Sequence, residues 1–339
     1  MTSWELDDFQ HDRILKRAVL PYLFPSREVE DSQPVLILLA GEPGAGRARA
    51  TGGLIADHGR PDVAVVNSED LRAFHPRFSQ LASSHAPDAL EGVTHATAGW
   101  IRDCVRYARE NKRSLLLEGA FQDSTVAVGT AARFAAAGFQ TRIVVVASRR
   151  AESLLSVASL YLSNVRGGTL ARFISREAHD RAFEAGRALA DDAAQAASVD
   201  RLTVVGRAGD VVFDAHRSDG DAAVVGAGAA LESAQSARLT RFDATQWLSE
   251  LHHMTDFAMT RRDLPRGAIE LLVELHEIAL REVIPELHVP SDGKFISAIE
   301  QKTVVRLGEL RRALPREEVI DLAAPVVTPR GPERGGISR

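Results

Sequence analysis

The sequence of 339 residues has a single cysteine, few aromatic side chains and no long apolar segment. One cysteine, Cys104, cannot form an internal disulfide or supply a cysteine metal cluster. No apolar run approaches the ~20 residues that a helix needs to cross a bilayer. The first residues also lack the basic start and apolar core of a signal peptide. These absences predict a cytoplasmic protein with no membrane partner.

The charge balance shows no excess of positive charge. The sequence contains 41 Lys and Arg residues and 46 Asp and Glu residues, for a formal net charge of -5. Because general binding of a polyanion needs a basic surface, we expect no nucleic-acid partner. The apolar share of 45% and the charged share of 26% are typical of a globular protein with a buried core.

Short apolar runs alternate with longer stretches rich in alanine and charged residues. Continuous apolar runs are typical of strands that are buried on both faces of a parallel sheet, and the stretches at 88–110 and 124–138 are long enough for helices. The predicted strands span residues 34–40, 63–66, 114–117, 142–147 and 201–205. This alternation predicts an α/β fold with a doubly wound, mostly parallel sheet.

The character of the sequence changes near residue 218. Residues 218–230 are rich in small side chains, and residues 224–229 imitate half of a dinucleotide-binding fingerprint. The third glycine of that fingerprint is absent, because Leu231 stands in its place. We interpret residues 224–229 as a linker.

Helical patterns punctuated by prolines follow the small-residue segment. They span residues 245–260, 268–284 and 295–314. Prolines and glycines in residues 325–339 are typical of a flexible tail. We therefore predict an α/β domain over residues 1–217, a helical extension over residues 218–324 and the tail.

The first predicted strand leads directly into a loop with the spacing of a phosphate-binding motif. That motif has a glycine, four residues, a glycine and a lysine, then serine or threonine. Its backbone N–H groups point at phosphate oxygens, and the following helix adds the positive end of its dipole. The alternative is a glycine-rich turn that only joins a strand to a helix. The predicted nucleotide-binding residues are Gly41, Glu42, Pro43, Gly44, Ala45, Gly46, Arg47 and Ala48.

Two positions of the loop depart from the motif. Arg47 replaces the lysine that reaches the β- and γ-phosphates, and Ala48 replaces the hydroxyl residue that ligates Mg²⁺. Arg47 keeps the positive charge, but its planar fork is larger than an ammonium group. Since Ala48 offers no oxygen, a metal ion would have to rely on water or another side chain, and we predict no metal-ligating residue.

Three further segments with distinctive residues follow the loop along the chain. They read Asn-Ser-Glu-Asp-Leu-Arg-Ala-Phe-His-Pro at 67–76, Glu-Gly-Ala-Phe-Gln at 118–122, and Ala-Arg-Phe at 171–173 with Ser-Arg-Glu-Ala-His-Asp at 175–180. Together the four segments resemble the zeta-toxin family, whose members are P-loop kinases that phosphorylate UDP-N-acetylglucosamine and related nucleotide sugars. The resemblance covers about residues 10–215, and it implies a sheet of the P-loop kinase type that binds ATP.

The resemblance also implies roles for individual residues. Glu69 stands at the position of the catalytic base, which is an aspartate in the family, and Asp70 beside it could serve only if the local register shifts. Arg172 matches an arginine that neutralises the transferring phosphoryl group. Glu118 and Arg72 match substrate-binding positions, where Glu118 would hold sugar hydroxyls through its acceptor oxygens.

The departures from the family pattern leave more than one function open. The resemblance implies an ATP-dependent phosphotransferase that acts on a UDP-activated amino sugar, with Mg²⁺ as a second cofactor if another oxygen replaces the missing hydroxyl. Four departures from the family pattern are each expected to weaken phosphoryl transfer. They are Arg47, Ala48, Glu69 and Leu160, the last of which replaces a second family arginine. The alternative is an impaired pseudokinase that binds nucleotide or nucleotide sugar as a regulatory or interaction module. A third is an interaction protein that binds no nucleotide.

The predicted C-terminal helices have two interpretations. Apolar side chains recur at core-like spacing over residues 269–283, which favours a helical layer packed on the α/β core or on itself. The resemblance suggests instead a built-in inhibitory or partner-binding element, because zeta-like toxins are commonly restrained by a helical antitoxin. The partners that it implies are a nucleotide, a nucleotide sugar and a helical antitoxin.

Overall fold

The computed structural model describes residues 4–25, 33–58, 63–81, 87–169, 171–287 and 294–314. The predicted tail, residues 325–339, lies outside these ranges. The strands in the described ranges are β1 (Val35–Ala40), β2 (Ala64–Val66), β3 (Leu115–Gly119), β4 (Gln140–Ala147), β5 (Arg201–Gly206) and β6 (Val211–His216). They form one sheet in the order β2-β3-β1-β4-β5-β6.

The sheet is parallel from β2 to β5, and only β6 runs antiparallel to its neighbour β5. The predicted mostly parallel α/β fold is confirmed. The chain first builds β2 and β3 on one side of β1 and then β4 and β5 on the other side. Ligands of such sheets bind outside the carboxyl ends of the strands where this reversal occurs.

Strand β1 lies at the centre of the sheet and is buried along its whole length. Its alternate side chains enter two separate clusters, because successive side chains of a strand point to opposite faces. Leu36 and Leu38 belong to the larger cluster, whereas Ile37 and Leu39 belong to the other. Apolar contacts on both faces explain why this strand reads as a continuous apolar run.

Helices cover both faces of the sheet. In the first part of the chain they are α1 (Asp8–Ile14), α2 (Leu20–Leu23), α3 (Arg47–His58), α4 (Ser68–Arg72), α5 (Phe78–Leu81), α6 (Pro87–Glu110), α7 (Ser124–Ala136), α8 (Arg150–Gly167) and α9 (Arg176–Gln195). A π-helical stretch, Leu15–Val19, joins α1 to α2. Helix α7 matches the helix that the sequence predicts over residues 124–138, but it ends two residues earlier.

The second part of the chain is helical as predicted. Its helices are α10 (Asp221–Val224), α11 (Ala227–Ser236), α12 (Arg241–Met259), α13 (Arg266–Ile278) and α14 (Lys294–Ala313). After α13 the chain continues through a π-helical stretch, Ala279–Val283, and a 3-10 stretch, Ile284–Leu287. Among the described residues, no helix combines the length and apolar character that crossing a bilayer requires.

Helices α12 and α13 pack against α8 and form a second hydrophobic core with it. Buried side chains of this core include Leu154 and Leu155 on α8 and Leu251 and Leu272 on the later helices. The indole Nε1 of Trp247 also donates a hydrogen bond of 3.0 Å to the carbonyl oxygen of Ala151. This packing favours the interpretation of the C-terminal helices as a layer on the α/β core.

The interpretation of residues 224–229 as a linker is wrong. Val224, Ala227 and Leu231 are fully buried in the main core beside the sheet. Small side chains serve close packing here: a Cβ atom at Gly228 would lie 2.2 Å from a carboxylate oxygen of Asp191 on α9. Helix α11 lies against the sheet, and these contacts do not favour a domain boundary between residues 217 and 218. That boundary stays a prediction.

Candidate active site

The loop after β1 begins level with the end of β3. The N–H of Gly41 donates to the carbonyl oxygen of Gly119 at 3.3 Å, and the N–H of Ala45 donates to Glu42 at 3.1 Å. Gly44 has a φ of 84° and Gly46 a φ of 100°. Both values lie in the region that only glycine adopts without strain. The spacing of the glycines therefore matches the turns that the backbone makes.

The loop presents several backbone donors at the start of α3. Within the described residues, no carbonyl or side-chain oxygen accepts from the N–H groups of Gly44, Gly46, Arg47 or Ala48. The first N–H groups of a helix have no partner inside the helix, and together with the helix dipole they favour an anion. These donors favour the interpretation of the loop as an anion-binding turn over that of a simple connection between strand and helix, and the assignment of its residues to nucleotide binding stays a prediction.

At the two positions that depart from the motif, the side chains do not offer the contacts that the motif residues make with phosphate and Mg²⁺. The Nη1 atom of Arg47 donates to the carbonyl oxygen of Gly41, so its guanidinium lies back on the loop. Ala48 is exposed and offers no oxygen. The hydroxyl next along α3 is that of Thr51, whose Oγ1 donates to Glu118 Oε1. That bond occupies the hydroxyl hydrogen with a carboxylate.

A Mg²⁺ ion held in the usual way by the loop does not fit these residues. Its loop ligand is missing at Ala48, and one oxygen of Glu118 is bound by Thr51. In the part of the chain that the structure describes, no group of three or more His, Cys, Asp or Glu side chains has the arrangement of a metal site.

Arg207 is a loop contact that the sequence analysis missed. It follows β5, and its Nη1 donates to the carbonyl oxygen of Gly44 while its Nη2 donates to Ser156 Oγ at 2.5 Å. It lies 163 positions after Gly44, so no local motif connects the two. The only available signal was that residues after parallel strands meet at the carboxyl edge of the sheet.

Glu42 is a buried carboxyl group inside the loop. Only 3% of its surface is exposed. Burial raises its pKa to about 7, although a hydrogen bond with Ser153 and the positive charges of Arg47 and Arg207 act in the opposite direction. Its Oε1 atom has no hydrogen-bond partner among the described residues. Burial with an unpaired oxygen favours the neutral acid in the folded chain.

The raised pKa of Glu42 predicts a stability that falls as pH rises. Between pH 4.5 and about pH 7 the unfolded chain loses the proton and the folded chain keeps it, so the free energy of unfolding decreases over that window. We expect Glu42→Gln to be more stable than the wild type at pH 8 by up to roughly 3 kcal/mol, since a pKa unit is about 1.4 kcal/mol. At pH 4 the two should differ less.

Urea denaturation at pH 4, pH 6 and pH 8 measures this difference. The matched control is Glu184→Gln, which removes an exposed carboxylate on α9 and should change stability by less than about 0.5 kcal/mol. A difference between Glu42→Gln and wild type that is independent of pH would contradict the buried neutral acid.

A second group of predicted residues gathers at α4, after β2. Asn67 caps this helix, because its Oδ1 accepts from the N–H groups of Glu69 at 3.0 Å and Asp70 at 2.8 Å. The Nδ2 atom of Asn67 also donates to Asp70 Oδ2 at 2.8 Å. Asp70 is thus engaged with the cap, which leaves Glu69 as the carboxylate of this turn available for chemistry.

Arg72 interacts electrostatically with Arg172 and with Glu69. Burial lowers the pKa of Arg72, the positive charge of Arg172 lowers it further, and the negative charge of Glu69 raises it. The Nε atom of Arg72 is buried without a hydrogen-bond partner among the described residues. Two guanidinium groups that act on each other beside one carboxylate leave an excess of positive charge, which favours an anionic ligand.

The position of the absent family arginine faces solvent. Leu160 on α8 is 61% exposed, whereas the neighbouring Tyr161 is buried and packs edge-on against Phe173. Two arginines near the start of α8 are held by carboxylates: Arg149 pairs with Glu286 and Arg150 with Asp180. Both guanidinium groups are therefore engaged in ion pairs.

Comparisons with known proteins give one consistent result. A family model described as zeta toxin matches residues 24–218, which is more than half of the chain. Toxin zeta of Enterococcus hirae is 24% identical over 152 residues, or 44% of this chain and 53% of the relative. Toxin PezT of Streptococcus pneumoniae is 24% identical over 152 residues, or 44% of this chain and 58% of the relative. The chain thus spans about half the length of these curated relatives.

A solved structure from the PezAT chromosomal toxin–antitoxin system of Streptococcus pneumoniae is similar in fold to this chain. The TM-score is 0.62 at 18% identity, and the match covers 74% of this chain and 98% of that chain. At this identity the likeness shows the fold.

Proposed function

The chain belongs to the zeta toxin family, and on that premise we propose that it is an ATP-dependent phosphotransferase acting on a hydroxyl of a UDP-activated amino sugar. The phosphates of ATP bind the N–H groups of the loop at residues 41–48. The sugar hydroxyl attacks the γ-phosphorus, the bond to the β-phosphate oxygen breaks, and ADP leaves. Glu69 accepts the proton of the hydroxyl, which a carboxylate within hydrogen-bond reach can do.

The main support is the glycine turn of the loop, with its positive φ values at Gly44 and Gly46 and its N–H groups at the start of α3. The electrostatic interaction of Arg72 with Arg172 and with Glu69 adds to it. Phosphoryl transfer depends largely on positive charge near the phosphoryl oxygens and on the position of the attacking group. One carboxylate and two guanidinium groups are the side chains which that chemistry requires. In this scheme Arg172 stabilises the phosphoryl group, while Arg72 and Glu118 bind the sugar nucleotide.

An impaired pseudokinase is the second candidate. It is favoured by the guanidinium of Arg47, which bonds to the loop's own carbonyl oxygen, and by Ala48, which has no hydroxyl. Leu160 adds a third loss, because an exposed leucine cannot stabilise a phosphoryl group. Such a protein would bind nucleotide or nucleotide sugar as a regulatory or interaction module without turnover.

A helical antitoxin is the proposed protein partner. The support is the likeness in fold to a chain from the PezAT toxin–antitoxin system and membership of a toxin family.

Titration calorimetry with ATP and MgCl₂, followed by a phosphorylation assay with UDP-N-acetylglucosamine, tests the two functions. Phosphorylated sugar nucleotide together with ADP supports the phosphotransferase. ATP binding without product supports the pseudokinase. If ATP does not bind, the phosphotransferase is wrong. If UDP-N-acetylglucosamine does not bind in the same calorimetric titration either, the pseudokinase is wrong as well, and the third possibility, an interaction protein without nucleotide, gains support.

Restoring the motif residues is expected to increase the rate. We expect the double variant Arg47→Lys, Ala48→Ser to transfer phosphate at least ~10-fold faster than the wild type, because it regains the compact donor and the metal hydroxyl. The measurement is ADP release with the sugar nucleotide present. The matched control is Arg49→Lys at an exposed position of the same helix, which should leave the rate unchanged. An unchanged rate in the double variant would move the cause to Glu69 and Leu160.

A further inference from the structure

Arg207 reaches the loop from the turn between β5 and β6. The backbone of this turn lies close to the loop, since a Cβ atom at Gly46 would be 3.0 Å from the carbonyl oxygen of Arg207. The guanidinium then extends to Gly44 and to Ser156 on α8. Arg207 therefore bridges three elements, and both bonds fix its charged end against the phosphate-binding turn.

Two arginines thus contact the loop: Arg47 at the start of α3, and Arg207 from the turn after β5. Arg47 donates to the carbonyl oxygen of Gly41, and Arg207 donates to that of Gly44. The buried carboxyl group of Glu42 senses both positive charges. Its Oε1 atom has no hydrogen-bond partner among the described residues, and only 3% of the residue's surface is exposed.

We infer that Arg207 is a phosphate-binding residue, and that Arg47 and Arg207 together hold the phosphate chain of a nucleotide without a divalent metal ion. This rests on the proposed function only in taking the ligand to be a nucleotide. Two guanidinium groups carry the same total charge as one Mg²⁺ ion. They stand at a loop that has lost the hydroxyl with which such loops hold that ion.

The chemistry of arginine supports this exchange. A guanidinium group has five N–H donors in a fixed fork that matches two phosphate oxygens at once. In the described part of the chain, Arg47 uses one nitrogen on the loop and Arg207 uses two. The remaining N–H groups, together with the backbone N–H groups of Gly44, Gly46 and Ala48, can donate hydrogen bonds to phosphate oxygens.

The experiment compares ligand binding with and without metal. The full chain is titrated calorimetrically with ATP and, separately, with inorganic triphosphate, each in MgCl₂ and in EDTA. We expect both ligands to bind in EDTA, with Kd values within about threefold of those in MgCl₂. Arg207→Met keeps most of the aliphatic stem and should weaken binding by at least ~10-fold, because hydrogen bonds from a charged group are lost.

Two further variants make the result specific. Arg207→Lys keeps the charge but not the fork, so it should bind more weakly than the wild type, and this test stands even if the methionine variant folds poorly. If Arg207→Met folds, the affinity of Arg207→Lys should lie between those of wild type and Arg207→Met. Arg201→Met is the matched control, since Arg201 stands at the opposite end of β5 and pairs with Asp214. It should bind ATP as the wild type does.

The outcomes separate this inference from the proposed function. ATP binding that requires Mg²⁺, or equal affinity in wild type and Arg207→Met, overturns the inference and leaves a phosphotransferase in place. Metal-free binding that Arg207→Met weakens, with no phosphorylated sugar formed, supports the inference and refutes the phosphotransferase. Failure of both ATP and triphosphate to bind overturns the inference together with any nucleotide-dependent function.

Discussion

Alanine in place of Arg172 is expected to slow phosphoryl transfer by about 10³-fold or more. Arg172 is exposed in the segment between α8 and α9, and its positive charge acts on Arg72. A cation at this position stabilises the charge that develops on the phosphoryl oxygens, and such a contact is made more strongly in the transition state than in the bound substrate. The loss should therefore appear in kcat, with little change in the Kd for ATP.

The matched control for this prediction is Arg176→Ala. Arg176 is also exposed and begins α9, but it lies beside the carboxylates of Glu177 and Glu274. Its removal should change kcat by less than about threefold. Both variants are measured by ADP release, in the Arg47→Lys, Ala48→Ser background if that chain is faster. Equal rates for the two variants would place Arg172 outside the transition-state contacts.

Alanine in place of Glu286 is expected to destabilise the fold by about 3–5 kcal/mol. Glu286 is 6% exposed. Its Oε2 accepts from Arg149 Nη1 at 2.6 Å and from the N–H of Leu239 at 2.9 Å. Arg149 is itself only 12% exposed at the side chain. Without Glu286, a mostly buried guanidinium and a buried N–H group both lose their partner, which accounts for the size of the effect.

The control for Glu286 is a neighbouring carboxylate in the same stretch of chain. Glu282 lies 4.0 Å from Arg149 Nη2 and is 46% exposed, so Glu282→Ala should cost less than about 1 kcal/mol. Urea denaturation at pH 7 compares the two variants. Similar losses for both would contradict the special role of the buried pair.

The same pair predicts a pH dependence. Burial alone would raise the pKa of Glu286, but the hydrogen bonds from Arg149 and Leu239 outweigh it and hold that pKa below its ordinary value of 4.5. A lowered carboxyl pKa stabilises the fold above that value and stops doing so as pH falls through the folded-state pKa. The difference between wild type and Glu286→Gln should therefore shrink below pH 4.5.

The buried strands could be predicted because burial on both faces leaves a continuous apolar signature. The run before Gly41 is the clearest case, and its observed strand begins one residue later than predicted. Strand β6 had no such signature. Its Val211 and Val212 are exposed at 62% and 40%, because it is an edge strand whose residues do not face two cores. Sequence patterns report burial, so an exposed strand was missed.

The candidate site was predictable only where its residues are neighbours in the sequence. The glycines of the loop reveal a turn because their φ values exclude other residues, and Asn67 precedes α4 as a cap should. The contacts of Arg207 with Gly44 and of Thr51 with Glu118 join distant segments. These depend on sheet order and helix packing, which periodicity does not encode. Local sequence patterns therefore identify Arg47 as a cation of the loop but do not reveal Arg207.

Helix α8 has a practical consequence for anyone who shortens this chain. One side of it supports the phosphate loop through Ser153 and Ser156, while its apolar side, with Leu154 and Leu155, is covered by helices that follow residue 218. A fragment cut at the end of the family match would keep α8 but leave its apolar side open to water, and would so destabilise the helix that supports the loop. Ligand screens on such a fragment would then report an artefact of the cut rather than the affinity of the protein.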